Sequence, residues 1–265
     1  MMMIDKLAYS SPWRNKSASL KCIFAAGTLC ICVAVRSFVI SGVVLAFMAG
    51  VTVTYSQASF SRYGKMMLWP FAFLIMGTAA VLLDVTEQPD GILQIALGSR
   101  YLIITEASLN AAARLVLVSL AAVSCLYFLV LTTPVPDLLF VLRKLHCPHL
   151  ILELMLLIYG AIFLLLDLAL SIRCAQNCRL GNRDFKTTIR SMGSMLAALL
   201  VQAVSRSSRM FSAMEARCYD GEFQVLWETG KASKTEIMAV ITYLLLLLAL
   251  ALWCYGKGGA GWHWL

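Results

Sequence analysis

Apolar residues gather in six windows, at roughly 20–35, 38–55, 66–83, 108–131, 150–172 and 237–254, separated by more polar segments that range from two residues to more than sixty. A helix that crosses a bilayer needs about 20 predominantly apolar residues. The first two windows are short and separated only by Arg36 and Ser37, which predicts a tight helical hairpin. After the fourth window, TTPVP ends the helix, because proline lacks a donor and holds its predecessor extended. Asp137 then opens LLFVLRKL, a short amphipathic helix with Arg143 and Lys144 in its last turn, and Pro148 is expected to stop it. Such a helix suits the membrane interface better than its interior.

The charges orient these windows. Lys6, Arg14, Lys16 and Lys21 precede the first; Arg62 and Lys65 lie between the second and third. The connection after the third holds Asp84, Glu87 and Asp90 against Arg100. Basic flanks stay cytoplasmic, so the N-terminus is expected inside, residues 84–106 outside, and the end of the fourth span inside. Arg143 and Lys144 must then be inside, and so must the basic stretch that starts at Arg173. Window 150–172 lies between these two basic flanks and cannot simply span. The expectation is about five spans in three regions: a four-span membrane domain at 1–131, cytoplasmic or interfacial helices at 132–235, and a closing span with its tail at 236–265.

Composition agrees with an all-α membrane protein. Of 265 residues, 60% are hydrophobic and 14% charged, far from soluble norms. The net charge of +8 flanks apolar spans instead of forming an exposed basic domain, so orientation in the membrane explains it and nucleic acid is not expected as a partner. Cys22, Cys30, Cys32, Cys125 and Cys254 lie in or beside apolar runs, where cysteine behaves as a small hydrophobe. Cys174, Cys178 and Cys218 fall in the basic region, where a reducing cytosol disfavours disulfides. No cleavable signal peptide is expected, because residues 1–19 are polar and mixed.

The basic region is the most informative part. Residues 173–217 carry seven Arg and one Lys against Asp184 and Glu215, while keeping a helical apolar rhythm. That combination points to a protein partner at a cytoplasmic surface. The chain resembles the T component of energy-coupling-factor transporters, closest to the cobalt-transport CbiQ subfamily. The resemblance runs nearly end to end, through IDKLAYSSPWR, NAAARLVLVSLAAVS, TTPVPDLLFVLRKLHCP, ELMLLIYGAIFLLLD, AQNCRLG and AMEARCYDG. The last two match paired coupling motifs that usually read Ala-Arg-Gly or Ala-Arg-Ser. The resemblance implies that two long crossed helices end at these motifs and dock on a pair of ATP-binding cassette ATPases. It assigns the coupling role to Arg179 and Arg217, with Ala216, Gly181 and Gly221 around them; Arg206 and Arg209, which flank the second motif's helix, are read as supporting charges or as solvated face. It also implies a small CbiM-like membrane subunit that captures the substrate.

This sequence departs from the pattern at three places. The first motif reads Cys178-Arg179-Leu180, with glycine displaced to Gly181. Cys218 stands where glycine is usual, and Gly160 where Arg is frequent. Glycine just past a helix end takes the left-handed conformation freely, whereas cysteine there costs on the order of 1 kcal/mol. The expectation is that Gly221 takes over as the cap and α-helix continues a few residues further.

Other residues invite weaker readings. Arg114, about two turns inside its helix, is read as snorkelling to the outer interface, with packing against a partner subunit as the alternative. His146-Cys147-Pro148-His149 suggests a metal site, but proline breaks the helix, no carboxylate completes a ligand set, and the spacing fits no zinc pattern. Cys174 and Cys178 share a helix face and are read as packing residues. No metal or cofactor is therefore called. No G-x-x-x-x-G-K-[ST], H-E-x-x-H or G-x-S-x-G occurs, so the chain is read as non-catalytic, with ATP hydrolysis on partner chains. The reading is a coupling subunit of an ATP-driven importer in a bacterial or archaeal plasma membrane, most simply for cobalt. Nickel or vitamin cargo, a membrane anchor for an unrelated cytosolic complex, and an enzyme using the HCPH cluster are the alternatives.

Overall fold

The computed structural model describes residues 9, 11, 13, 16–55, 60–82, 84–86, 93–97, 100–104, 106–220, 230 and 233–256. Its elements are α1 (Ala18–Val35), α2 (Phe38–Tyr55), α3 (Phe60–Leu82), β1 (Asp84–Thr86), β2 (Leu93–Leu97), β3 (Arg100–Ile104), α4 (Glu106–Thr132), α5 (Val135–Lys144), α6 (His149–Cys178), α7 (Phe185–Glu215) and α8 (Lys234–Gly256). Seven of these helices, all but α5, are long and apolar enough to cross a membrane by length and composition. The chain is a helical, multi-pass membrane protein. Residues 139–228 form one compact unit, and the chain on either side of them forms another.

In the larger unit α4 packs against α1, α2 and α3, while α8 packs against α1 and α2. Phe24, Cys32, Val44, Met48, Cys125 and Phe128 build the core, with Phe24 and Phe128 edge to face at 5.3 Å. Cys32 and Cys125 thus pack as hydrophobes. Buried hydroxyls cannot turn to water inside a bilayer and must bond internally. Thr28, Thr52 and Thr132 do so by donating to the carbonyls four residues earlier, at 2.7, 2.6 and 2.6 Å. Tyr63 and Ser124 share a buried hydrogen bond of 2.8 Å between α3 and α4.

Lys21 is the unusual member of this core. It is 3% exposed and donates from Nζ to the Thr132 carbonyl at 3.0 Å. Its charge thus lies at the C-terminus of α4, where the helix dipole is negative and backbone carbonyls lack partners. The outward faces of this unit are apolar, with Phe38, Phe73 and Leu245 exposed as a lipid-facing surface requires.

The connection after α3 holds structure that the apolar windows did not anticipate, and one local expectation, at Pro148, is corrected. The connection after α3 contains a three-stranded antiparallel sheet in the order β1-β3-β2, with Val85 opposite Leu102 and Ile95 opposite Leu102. LQIAL, with apolar residues at every second position, and RYLII, a short run rich in aromatic and β-branched residues, carry that strand signal. Pro148 does not stop α5. That helix ends at Lys144, His146 takes φ 60°, and Pro148 is instead the residue just before α6.

In the smaller unit α6 and α7 are long helices of 30 and 31 residues that pack on one another. The unit has little interior. Leu152 is the buried residue of α6, and α7 buries none of its described side chains.

Candidate functional site: two arginine-bearing helix ends

The ends of α6 and α7 are built alike. At the first, Leu180 has φ 55°, the Leu180 amide donates to the Asn177 carbonyl at 3.1 Å, and the Gly181 amide donates to the Gln176 carbonyl at 2.8 Å. At the second, Cys218 has φ 57°, the Cys218 amide donates to Glu215 at 3.0 Å, and the Tyr219 amide donates to Met214 at 3.1 Å. Each pair of reversed bonds around one left-handed residue closes a helix and satisfies carbonyls that would otherwise lack donors. Arg179 and Arg217 both stand immediately before the left-handed residue. The two motifs therefore put their arginines at the same step of the same turn, although they share little sequence beyond Arg.

Glycine is not required to make this turn. Leu180 and Cys218 both hold the left-handed conformation themselves, at a cost of roughly 1–2 kcal/mol for a residue with a Cβ. The expected shift of the cap to Gly221 does not occur, since α7 already ends at Glu215; Gly221 itself lies outside the described residues. Gly181 serves a different need. A Cβ on it would lie 3.0 Å from both the Gln176 carbonyl oxygen and Ser191 Oγ.

Both ends are tied to the partner helix by side chains. Gln176 Nε2 donates to the Ser191 carbonyl at 2.8 Å, and Ser191 Oγ donates to the Gly181 carbonyl at 2.6 Å. Asn182 also bonds Asn177 across the turn. At the other end Tyr219 donates its phenol proton to Glu153 Oε2 at 3.1 Å, and His149 Nδ1 lies 3.3 Å from Glu153 Oε1. Partial burial, then the hydrogen bond to Glu153 and the charges of Glu153 and Asp220, raise the Tyr219 phenol above its ordinary range, so it stays the donor at neutral pH.

These contacts fix how far apart the arginines are. Tyr219 touches Glu153 near the start of α6, and Arg179 caps the end of the same helix. At 1.5 Å per residue the intervening helix spans about 40 Å. Arg179 and Arg217 are thus at opposite ends of the α6–α7 pair, and both are exposed. Ala216 is exposed in the second turn, and Arg206 and Arg209 are exposed along α7. Nothing brings the four arginines into one cluster.

The remaining candidates are placed as follows. Arg114 is half-buried in the third turn of α4. Cys174 and Cys178 are exposed on α6, so within their unit they do not pack as a core, and Cys218 is exposed too. Among the described residues no group of three His, Cys, Asp or Glu can hold a metal ion, and His149 is engaged with Glu153. His263 lies outside the described residues. Sequence reasoning missed Gln176, Ser191, Glu153 and Tyr219. Tyr219 lies inside the AMEARCYDG motif and Glu153 opens ELMLLIYG, but nothing in a linear pattern pairs residues 66 positions apart.

Comparison with known proteins places the chain. The profile of the cobalt transport protein family CbiQ matches residues 10–227. A cobalt transport protein CbiQ of Rhodobacter capsulatus is 32% identical over 93% of this chain and 96% of its own length. One of Salmonella typhimurium is 28% identical over 85% of this chain and its full length. A putative fused cobalt transport protein CbiMQ of Methanocorpusculum labreanum is 30% identical over 94% of this chain, which spans 41% of that longer relative. The match takes in both arginine-bearing helix ends, and this chain belongs to the CbiQ family of cobalt transport proteins.

Proposed function

We propose that this chain is the coupling subunit of an energy-coupling-factor importer, carrying motion from two cassette ATPases to a membrane subunit that captures the substrate. The observation that carries this reading is the pair of equivalent helix ends, each offering an exposed arginine, about 40 Å apart on one helical hairpin. One small ligand cannot engage both. Two copies of the same docking groove can, which suits a pair of like ATPases. A guanidinium fits such a groove because its planar donors bridge carboxylates or carbonyls. ATP binding would close the ATPase pair, move the two arginines, and tilt α6 against the capture subunit. Each arginine must bind one ATPase state better than the other, or no work is transmitted.

Cobalt is the cargo this reading favours, and a CbiM-like protein the capture subunit, because the fused relative carries both parts of its name in one chain. The same proposal puts residues 133–235 and the N-terminus in the cytoplasm and the C-terminal tail outside. Were α6 and α7 to span, Arg179, Arg183, Lys186 and Arg190 would be stranded outside, against the rule that places basic residues inside.

The test is Arg179→Ala and Arg217→Ala in the assembled transporter. A charge-assisted contact contributes roughly 1.5–3 kcal/mol, so each variant should insert normally, weaken ATPase association visibly in pull-downs, and lose uptake. Arg→Lys should be nearly as harmful, because the bidentate geometry is lost. Normal transport by both alanine variants would end the proposal.

A further inference from the structure

The geometry points to Glu153 and Tyr219 as positioning residues for Arg217: a side-chain clamp that holds the second arginine-bearing end against the start of α6. This rests on the coupling role proposed for Arg217. Tyr219 is held twice. Its backbone amide closes the turn onto Met214 at 3.1 Å, and its phenol reaches across to Glu153 at 3.1 Å. Arg217 is two residues earlier, inside the loop these bonds close, with its own amide on Met214 at 3.0 Å. Glu153 is fixed in turn: its side chain is 11% exposed, and its other oxygen faces His149 one helical turn back.

The exposure of this end explains why a clamp is needed. Glu215, Ala216, Arg217 and Cys218 are all exposed, and α7 buries no described side chain. Hydrogen bonds to Met214 and Glu153 therefore help to set the direction of the terminal turn. Without Tyr219 the turn still closes, but it frays as free helix ends do. The opposite end has a counterpart in the Gln176 and Ser191 bonds. Arg217, like Arg179, thereby moves with α6 instead of with a loose tail.

A double-mutant cycle on ATPase affinity tests this in the full transporter, assembled with its two ATPases. Tyr219→Phe removes only the hydroxyl and should weaken ATPase association about tenfold. Glu153→Gln keeps an acceptor oxygen and the side-chain shape, and should weaken it less. If the clamp acts through Arg217, Tyr219→Phe adds nothing in an Arg217→Ala background and keeps its full effect in an Arg179→Ala background. A role in folding alone would lower affinity equally in both backgrounds, and that result would overturn the inference. So would wild-type affinity for Tyr219→Phe and Glu153→Gln alongside a defective Arg217→Ala. An Arg217→Ala variant with normal affinity would instead remove the coupling proposal beneath it.

Discussion

Cys218→Gly should make the second helix end more stable, and the size of the gain follows from the turn. Cys218 holds φ 57°, a conformation that crowds its Cβ against the neighbouring carbonyl at about 1–2 kcal/mol. Glycine has no Cβ to crowd, yet it loses more chain entropy on folding, about 0.5–1 kcal/mol. The thiol is exposed, so little packing is lost with it. The net expectation is a gain of about 0.5–1 kcal/mol. Hydrogen exchange at the Tyr219 amide reads it directly, because that amide is held only while the turn is closed. Exchange should slow about two- to fivefold. Cys218→Ala is the control: it removes the thiol but keeps the Cβ, and should leave the rate unchanged. Leu180→Gly relieves the same strain but gives up the covered part of a side chain that is 70% exposed, so it should fall closer to neutral. Gly181→Ala should do the reverse, since its new Cβ would sit 3.0 Å from Ser191 Oγ and from the Gln176 carbonyl oxygen, and the carbonyl belongs to the helix backbone. Faster exchange in Cys218→Gly, or an equal gain in Cys218→Ala, would refute the strain argument.

Three further outcomes can be checked. In a cysteine-free background, a cysteine at position 182 should resist impermeant thiol reagents added outside intact cells, while one at position 260 reacts; outside labelling at 182 would mean that α6 and α7 span. Lys21→Met should cost roughly 1.5–3 kcal/mol by leaving the Thr132 carbonyl without its charged donor, seen as an apparent melting temperature lower by at least about 3 °C. The purified subunit should show no stoichiometric submicromolar cobalt site by isothermal titration, because cobalt needs several converging ligands and the described residues gather none. Such a site, lost in His146→Ala or His149→Ala, would overturn that expectation.

What the sequence made legible is what one-dimensional pattern encodes. Apolar windows anticipate α1, α2, α4 and α8 to within a few residues, because a helix in a bilayer must be apolar along its whole length. The hairpin at Arg36 and Ser37 is legible for the same reason, since no apolar residue bridges the gap. The strands after α3 were missed because segments of three to five residues are brief beside the long windows around them. The two helix ends were legible only as motifs. Their shared geometry was hidden, because glycine is so common a marker of the left-handed step that its absence at 180 and 218 suggests a different cap. The paired bonds show why it need not be: the turn is set by four backbone groups at each end, and the side chain only adjusts its cost. Contacts between distant positions, such as Lys21 with Thr132 or Glu153 with Tyr219, have no local signature at all.

The same geometry bears on how motion would pass through the chain under the proposed function. A helix about 40 Å long that tilts by about 10° moves its far end by roughly 7 Å, far more than a side-chain rearrangement delivers. That leverage is useful only if the end follows the helix. Side-chain bonds tie the α6 end to α7 through Ser191, and the α7 end to α6 through Glu153. With both ties made, a displacement at either arginine is shared by both helices. With one tie broken, the arginine on that side can shift while its helix stays still. The α6–α7 pair therefore needs its few polar contacts at its ends, where an apolar core would be least able to form.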